Sequence, residues 1–250
     1  MIKLKYEKLK GGNMSNVFRQ NDIIYRSQGP WSPTIHRFLL HLENEGFYEC
    51  PRFVGIDKNS YEMLSYVEGE CREIYPGNIG RKLHLKGIAK LATIMKRFHQ
   101  ASSTFVSLEE DKWMLSYDGP LENEVICHND IAPYNMTFQE DIPYKMIDFD
   151  TCCPAPRIWD IVYALYRFVP ITNKDFSDRY IRECLTTFFK TYGMEYPEQF
   201  FTIMVKRLEA LIDTINYRAK NKEEVITKML ADGHVDFYNK EIEYIKTRYL

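Results

Sequence analysis

Apolar positions early in the chain recur in short alternating runs, the signature of half-buried strands. Residues 6–10, 17–20 and 22–26 read as strands, separated by the turn-forming Gly11-Gly12-Asn13 and Gln20-Asn21-Asp22. The period changes after Pro33, where Ile35, Phe38, Leu39 and Leu42 fall on one helical face. Ser32 is the expected N-cap, Pro33 the first helical position and Gly46 the stop. Segments 52–56 and 61–66 return to strand, joined by Asp57-Lys58-Asn59-Ser60. The first 65 residues thus predict a small antiparallel sheet carrying one helix. Gly69, Pro76, Gly77 and Gly80 mark a change of regime.

From residue 83 the spacing is helical, with Leu85, Ile88, Ala89, Leu91, Ala92, Met95 and Phe98 forming a broad apolar stripe that ends near His99. Short strands reappear between residues 125 and 149, and segments 136–138 and 144–147, around a polar turn and Pro143, predict a hairpin. The remainder is helical, with a stripe of Phe201, Val205, Leu208, Leu211, Ile212 and Ile215 and a final segment over 235–250. The expected architecture is α+β: a β-rich N-terminal lobe over residues 1–68 and a larger, mainly helical lobe over 69–250 with an embedded hairpin.

With 250 residues and 45% of them hydrophobic, the chain can bury a real core. Its formal net charge of -2 supplies no basic field, so nucleic acid and anionic membrane are not expected partners. The most apolar late stretch, 158–171, is interrupted by Asp160 and Arg167, well short of the roughly 20 apolar residues a spanning helix needs. Residues 1–6 carry charges where a signal peptide is apolar, which makes the cytoplasm the expected compartment. Cysteines 50, 71, 127, 152, 153 and 184 show no metal-ligand spacing and are expected to be free, structural thiols.

Candidate chemistry concentrates in His128-Asn129-Asp130-Ile131-Ala132-Pro133-Tyr134-Asn135, followed after the hairpin by Ile147-Asp148-Phe149-Asp150. The spacing H-x-D-x-x-x-x-N, then an Asp ending an apolar strand, matches the working parts of a kinase catalytic loop and metal loop. Mg²⁺ is a hard ion that prefers oxygen, which the Asp148 carboxylate and the Asn135 carboxamide offer. Asp130 is the candidate catalytic base for an acceptor hydroxyl. Asp150 has two open readings, a second metal ligand or a partner for backbone.

On these residues the chain resembles the aminoglycoside phosphotransferase and choline kinase-like family, small-molecule kinases with the two-lobed protein-kinase-like fold. The resemblance extends to Arg157-Ile158-Trp159-Asp160-Ile161, and it implies that Asp160 and His128 brace the catalytic loop. It also implies a nucleotide-covering loop at Gly11-Gly12-Asn13-Met14-Ser15-Asn16, with Gly12, Asn13 and Ser15 as cofactor-binding residues beside the phosphates. Arg26 stands where the family usually has lysine, and the following helix has His36 near the usual position of a partner glutamate. Tyr66 and Val67 fall in the hinge whose backbone pairs with adenine, so ATP and Mg²⁺ are the implied cofactors. The run from Gly29 to His36 is similar to a bacterial subgroup, some of whose members are labelled toxin-immunity proteins.

The expected reaction is transfer of the γ-phosphoryl group of ATP to a small hydroxyl-bearing metabolite or antibiotic. Acidic and basic residues balance over 171–250, so the presumed acceptor-binding region has no bulk bias toward a polycation. Two alternatives stay open: a nucleotide-binding immunity or regulatory module of the same fold with little turnover, and a metal-dependent hydrolase built on His128, Asp130, Asp148 and Asp150. The oligomeric state is left open.

Overall fold

The computed structural model describes residues 7–8, 17–72, 85–221 and 223–250. Alternation in the N-terminal segments becomes a five-stranded antiparallel sheet of β1 (Glu7–Lys8), β2 (Val17–Gln20), β3 (Ile23–Ser27), β4 (Phe53–Ile56) and β5 (Tyr61–Ser65), in the order β1-β2-β3-β5-β4. Asn21 (φ 54°) turns β2 into β3, and Ser60 (φ 65°) turns β4 into β5. The β3–β5 register sets Arg26 directly opposite Glu62. In β5 the buried phase consists of Glu62 and Leu64, so one carboxylate shares the apolar face of its strand.

Helix α1 (Ser32–Asn44) buries Ile35, Phe38, Leu39 and Leu42 as its spacing requires. Its start differs from expectation: Trp31 is the cap and Ser32 the first helical residue. The Ser32 hydroxyl accepts the Gly29 amide at 2.9 Å, so it closes the preceding loop instead of capping the helix. The stop is as expected, with Gly46 at φ 74° and the Phe47 amide donating back to the Leu42 carbonyl.

The rest of the chain contains α2 (Leu85–Ser102), α3 (Arg157–Phe168), α4 (Asp178–Tyr192), α5 (Phe200–Lys220), α6 (Glu224–Ala231) and α7 (His234–Tyr249). Between α2 and α3 run β7 (Val125–Cys127), β8 (Met136–Gln139), β9 (Ile142–Met146) and β10 (Cys153–Ala155). The expected hairpin is β8–β9, turned by Glu140 and Asp141, both at positive φ. The short strand β6 (Glu70–Cys71) adds to the β8 edge, giving the order β6-β8-β9. The alternation did not reveal β10, which pairs with β7. Three residues with proline in the middle carry too little pattern to read as a strand.

Aromatic rings tie the sheet-bearing part to the helical part. Phe38 of α1 and Phe149, one residue after Asp148, both pack edge-on against Phe98 of α2, at 6.1 and 6.0 Å between centroids. All six cysteines are free, as expected; five are buried and Cys71 is exposed, so a packing role fits the other five. The two-residue strand of Cys71 lies at a sheet edge. Among the described residues no helix is long and apolar enough to cross a membrane.

Because Phe98 is fully buried and touches rings from α1 and the Asp148 loop, Phe98→Ala is expected to lower stability by about 3–5 kcal/mol, read by urea denaturation.

Candidate functional site

Strand β7 delivers the chain to His128, Asn129 and Asp130, and buried side chains hold that loop. Asp160, fully buried on α3, accepts the amides of His128 and Asn129, each at 2.7 Å. His99 Nε2 donates to the same carboxylate at 3.2 Å, and its Nδ1 pairs with the Tyr192 hydroxyl at 2.8 Å. Burial pushes the Asp160 carboxyl up, but the His99 hydrogen bond and the nearby imidazoles outweigh it and hold the group below its ordinary value. Asn129 sits at φ 65°, a conformation asparagine tolerates, and its carbonyl accepts Arg207 Nη2 at 2.6 Å. His128 Nε2 donates to the Ile147 carbonyl at 3.0 Å, joining this loop to the residue before Asp148. Both Asp160 and His128 therefore sit as braces. His99, Cys127 and Asp160 converge within 4.8 Å, yet the Asp160 oxygens serve loop amides and the Cys127 thiol donates to the Pro156 carbonyl.

Asp130 and Asn135 meet directly. A 3-10 turn over Pro133–Asn135 swings the carboxamide back, and its Nδ2 donates to Asp130 Oδ2 at 2.8 Å and to the Asp130 carbonyl at 3.1 Å. A carboxylate only accepts, so this contact fixes the amide orientation and leaves Oδ1 of Asn135 for other partners. The Tyr134 hydroxyl donates to Asp130 Oδ1 at 2.6 Å. Burial and the neighbouring Asp130 push the Tyr134 phenol well up, so it stays a donor. The Ile147 amide donates to the Asn135 carbonyl at 2.9 Å, which brings the Asp148 backbone against the Asp130 loop. Asp148 itself adopts φ 62° and keeps its side chain 49% exposed, accessible to a ligand.

Arg26 reaches this cluster from β3. Its Nη1 lies 3.1 Å from Asp148 Oδ1 and its Nη2 2.5 Å from Asp150 Oδ1. Its Nε pairs with Glu62 Oε1 as a close ion pair without hydrogen-bond alignment. His36 Nε2 donates to the other Glu62 oxygen at 2.5 Å, its ring stacked on Phe53 at 3.9 Å. The partner glutamate that the helix lacks is thus supplied by the neighbouring strand. The signal in the sequence was an acid on the apolar phase of residues 61–65. Asp150 meets a side chain, Arg26, and burial pushes its carboxyl above the ordinary range despite that guanidinium.

Of the remaining expected site residues, Gly12, Asn13 and Ser15 lie outside the described residues. Tyr66 and Val67 follow β5 as the connector, but the Tyr66 amide donates to the Asp22 carbonyl at 2.8 Å, so it is not a donor for a base. Arg19 stacks on the Tyr66 ring at 3.5 Å. A cavity of about 650 Å³ opens beside the connector, lined by residues that include Tyr48, Phe53, Tyr66, Val67 and Lys145. None of Arg26, Asp130, Asn135 or Asp148 lines it. Sequence reasoning missed Glu62, Tyr134 and Arg207 as parts of the site.

Residues 106–194 match the model of the phosphotransferase enzyme family. A trifolitoxin immunity protein of Rhizobium leguminosarum bv. trifolii is 29% identical over 175 residues, 68% of this chain. The match spans 65% of that relative's length. Among solved structures, the chain is similar to the gentamicin complex of APH(2")-IIa at 18% identity and TM-score 0.60, over 92% of this chain and 91% of that one. The GDP complex of aminoglycoside 2'-phosphotransferase-IIIa matches at 12% identity and TM-score 0.63, over 100% and 95%. A choline/ethanolamine kinase family protein from Mesorhizobium loti matches at 12% and 0.58, over 97% and 92%. The chain therefore has the protein-kinase-like fold of these proteins and is similar to the aminoglycoside phosphotransferase and choline kinase-like family.

The lowered Asp160 carboxyl gives a sign to the acid limb of stability. A depressed carboxylate stabilises the fold above its ordinary value of 3.8, and that stabilisation is lost as pH falls through the folded value. Asp160→Asn is expected to cost about 3 kcal/mol at neutral pH and to flatten the fall of Tm below about pH 4, measured by thermal melts across pH.

Proposed function

We propose that this protein is an ATP- and Mg²⁺-dependent kinase that phosphorylates a hydroxyl of a small metabolite or antibiotic. Residues 1–68 act as the nucleotide-binding lobe and residues 69–250 as the catalytic and acceptor-binding lobe. The observation that carries this reading is the link between Asp130 and Asn135 at 2.8 Å beside a half-exposed Asp148 that Arg26 contacts at 3.1 Å. A base, an amide oxygen, a carboxylate and a phosphate-binding cation are the groups phosphoryl transfer needs, and it asks for positioning more than covalent chemistry.

Asp130 accepts the proton of the acceptor hydroxyl. Tyr134 and Asn135 each take one lone pair of its oxygens, which orients the carboxylate and leaves lone pairs for the acceptor. Asn135 Oδ1 and Asp148, both hard oxygen donors, fit Mg²⁺ and would hold it, with Asp150 as a further oxygen within reach of Arg26. When bound, that ion supplies neutralising charge to the phosphate oxygens. Arg26 adds a guanidinium fork suited to phosphate. Adenine pairs with the backbone of the connector through groups other than the Tyr66 amide, and Gly12, Asn13 and Ser15 cover the phosphates.

A second reading, a nucleotide-binding immunity module with little turnover, is favoured by the similarity to a trifolitoxin immunity protein. The two separate by ADP production over a panel of hydroxyl compounds: the kinase reading expects turnover with at least one, the module expects nucleotide binding with none.

Within the kinase reading, Asp130→Ala is expected to lower turnover by about 10²–10⁴-fold with Mg-ADP affinity held within about twofold. Asp148→Ala is expected to weaken Mg-ADP binding as well, read by calorimetry. Equal loss of nucleotide affinity in both variants would contradict the assigned roles.

A further inference from the structure

Resting on the kinase reading, we infer that Glu62 and His36 are positioning residues that hold Arg26 for the nucleotide phosphates, and that this arrangement requires arginine at position 26. The guanidinium divides its labour by edge. Its Nε edge meets Glu62, and its two Nη groups point to Asp148 and Asp150, at 3.1 and 2.5 Å. A lysine ammonium is a single point charge on a flexible stem, unable to keep a planar anchor on one side and present a fork on the other.

The anchor belongs to the same sheet as the residue it holds. Arg26 and Glu62 are directly opposed partners in the β3–β5 ladder, so backbone hydrogen bonds set their separation. Glu62 is 1% exposed, and a carboxylate so far from water must be paired to remain charged. Its second oxygen accepts a hydrogen bond from His36 Nε2, and Phe53 fixes that imidazole by stacking. Helix α1 therefore acts on Arg26 through His36 and Glu62. When phosphate draws the Nη groups away from Asp148 and Asp150, the Nε contact keeps Glu62 compensated.

The test is calorimetric titration of the full chain with Mg-ADP, alongside thermal melts. Arg26→Lys and Glu62→Gln are each expected to weaken Mg-ADP by about tenfold or more, the effect of losing a charge-assisted contact. His36→Ala is expected to cost about threefold, and His36→Gln, which keeps a donor, to stay within about twofold of wild type. The double variant Glu62→Gln with His36→Glu returns the carboxylate from the helix side and is expected to recover most of the loss, which a merely structural role would not do. Folded Arg26→Lys or His36→Ala protein binding Mg-ADP as tightly as wild type overturns the inference, and so does a folded double variant without recovery. Should Glu62→Gln fail to fold, Arg26→Lys and the His36 pair decide alone. Wild-type protein that binds neither Mg-ADP nor Mg-GDP overturns the kinase reading itself, a result distinct from equal binding by wild type and variants.

Discussion

Two backbone amides, those of His128 and Asn129, end on one carboxylate that has no contact with water. Asp160 can stay charged in that position because it accepts hydrogen bonds from those amides and from His99 Nε2. The requirement works in both directions. The loop must turn sharply, with Asn129 at positive φ, to offer both donors, and that turn is what presents the next residue, Asp130, toward Tyr134 and Asn135. Arg207, arriving from α5, caps the carbonyl left over by the same turn. The candidate base thus inherits its orientation from a buried acid thirty residues further along the chain.

The second organising feature is charge balance around Arg26. One guanidinium contacts Glu62, Asp148 and Asp150, and those carboxylates come from two separate elements, the five-stranded sheet and the loop before β10. Packing of Phe38, Phe98 and Phe149 holds α1, whose His36 meets Glu62, against the loop of Asp148 and Asp150, so an apolar contact accompanies the polar one. Asp150 records the tension: its carboxyl is pushed up by burial while the guanidinium pulls the other way. Under the proposed function a nucleotide would bring new anions to this cation, and the half-exposed Asp148 is the side from which they would approach.

Local patterning made most of the elements legible. Alternation gave the strands of the N-terminal sheet, helical spacing gave α1, α2, α5 and α7, and Gly46 marked the end of α1 because only a residue tolerant of positive φ stops a helix that way. The Ser32 cap failed where a side-chain oxygen had a competing amide, Gly29, within reach. Strand β10 was too short for any period to show. In the site, the spacing of His128, Asp130, Asn135 and Asp148 was readable since a tight loop and a short hairpin leave those residues few ways to be apart.

Tyr134 and Arg207 were not readable as site residues, and Glu62 showed only as an acid on an apolar strand phase, because their roles depend on what lies across a strand pair, a turn or a helix packing. Composition, period and motif spacing are properties of neighbours along the chain, and they determined which elements form and which polar residues concentrate between β7 and α3. The choice of Glu62 as the anion for Arg26 was decided by β3–β5 register, and the choice of Asp160 as the brace by the docking of α3 against the loop. Pair energies of buried charges depend on distances of a few ångströms between residues remote in the chain, and only the folded arrangement sets those distances.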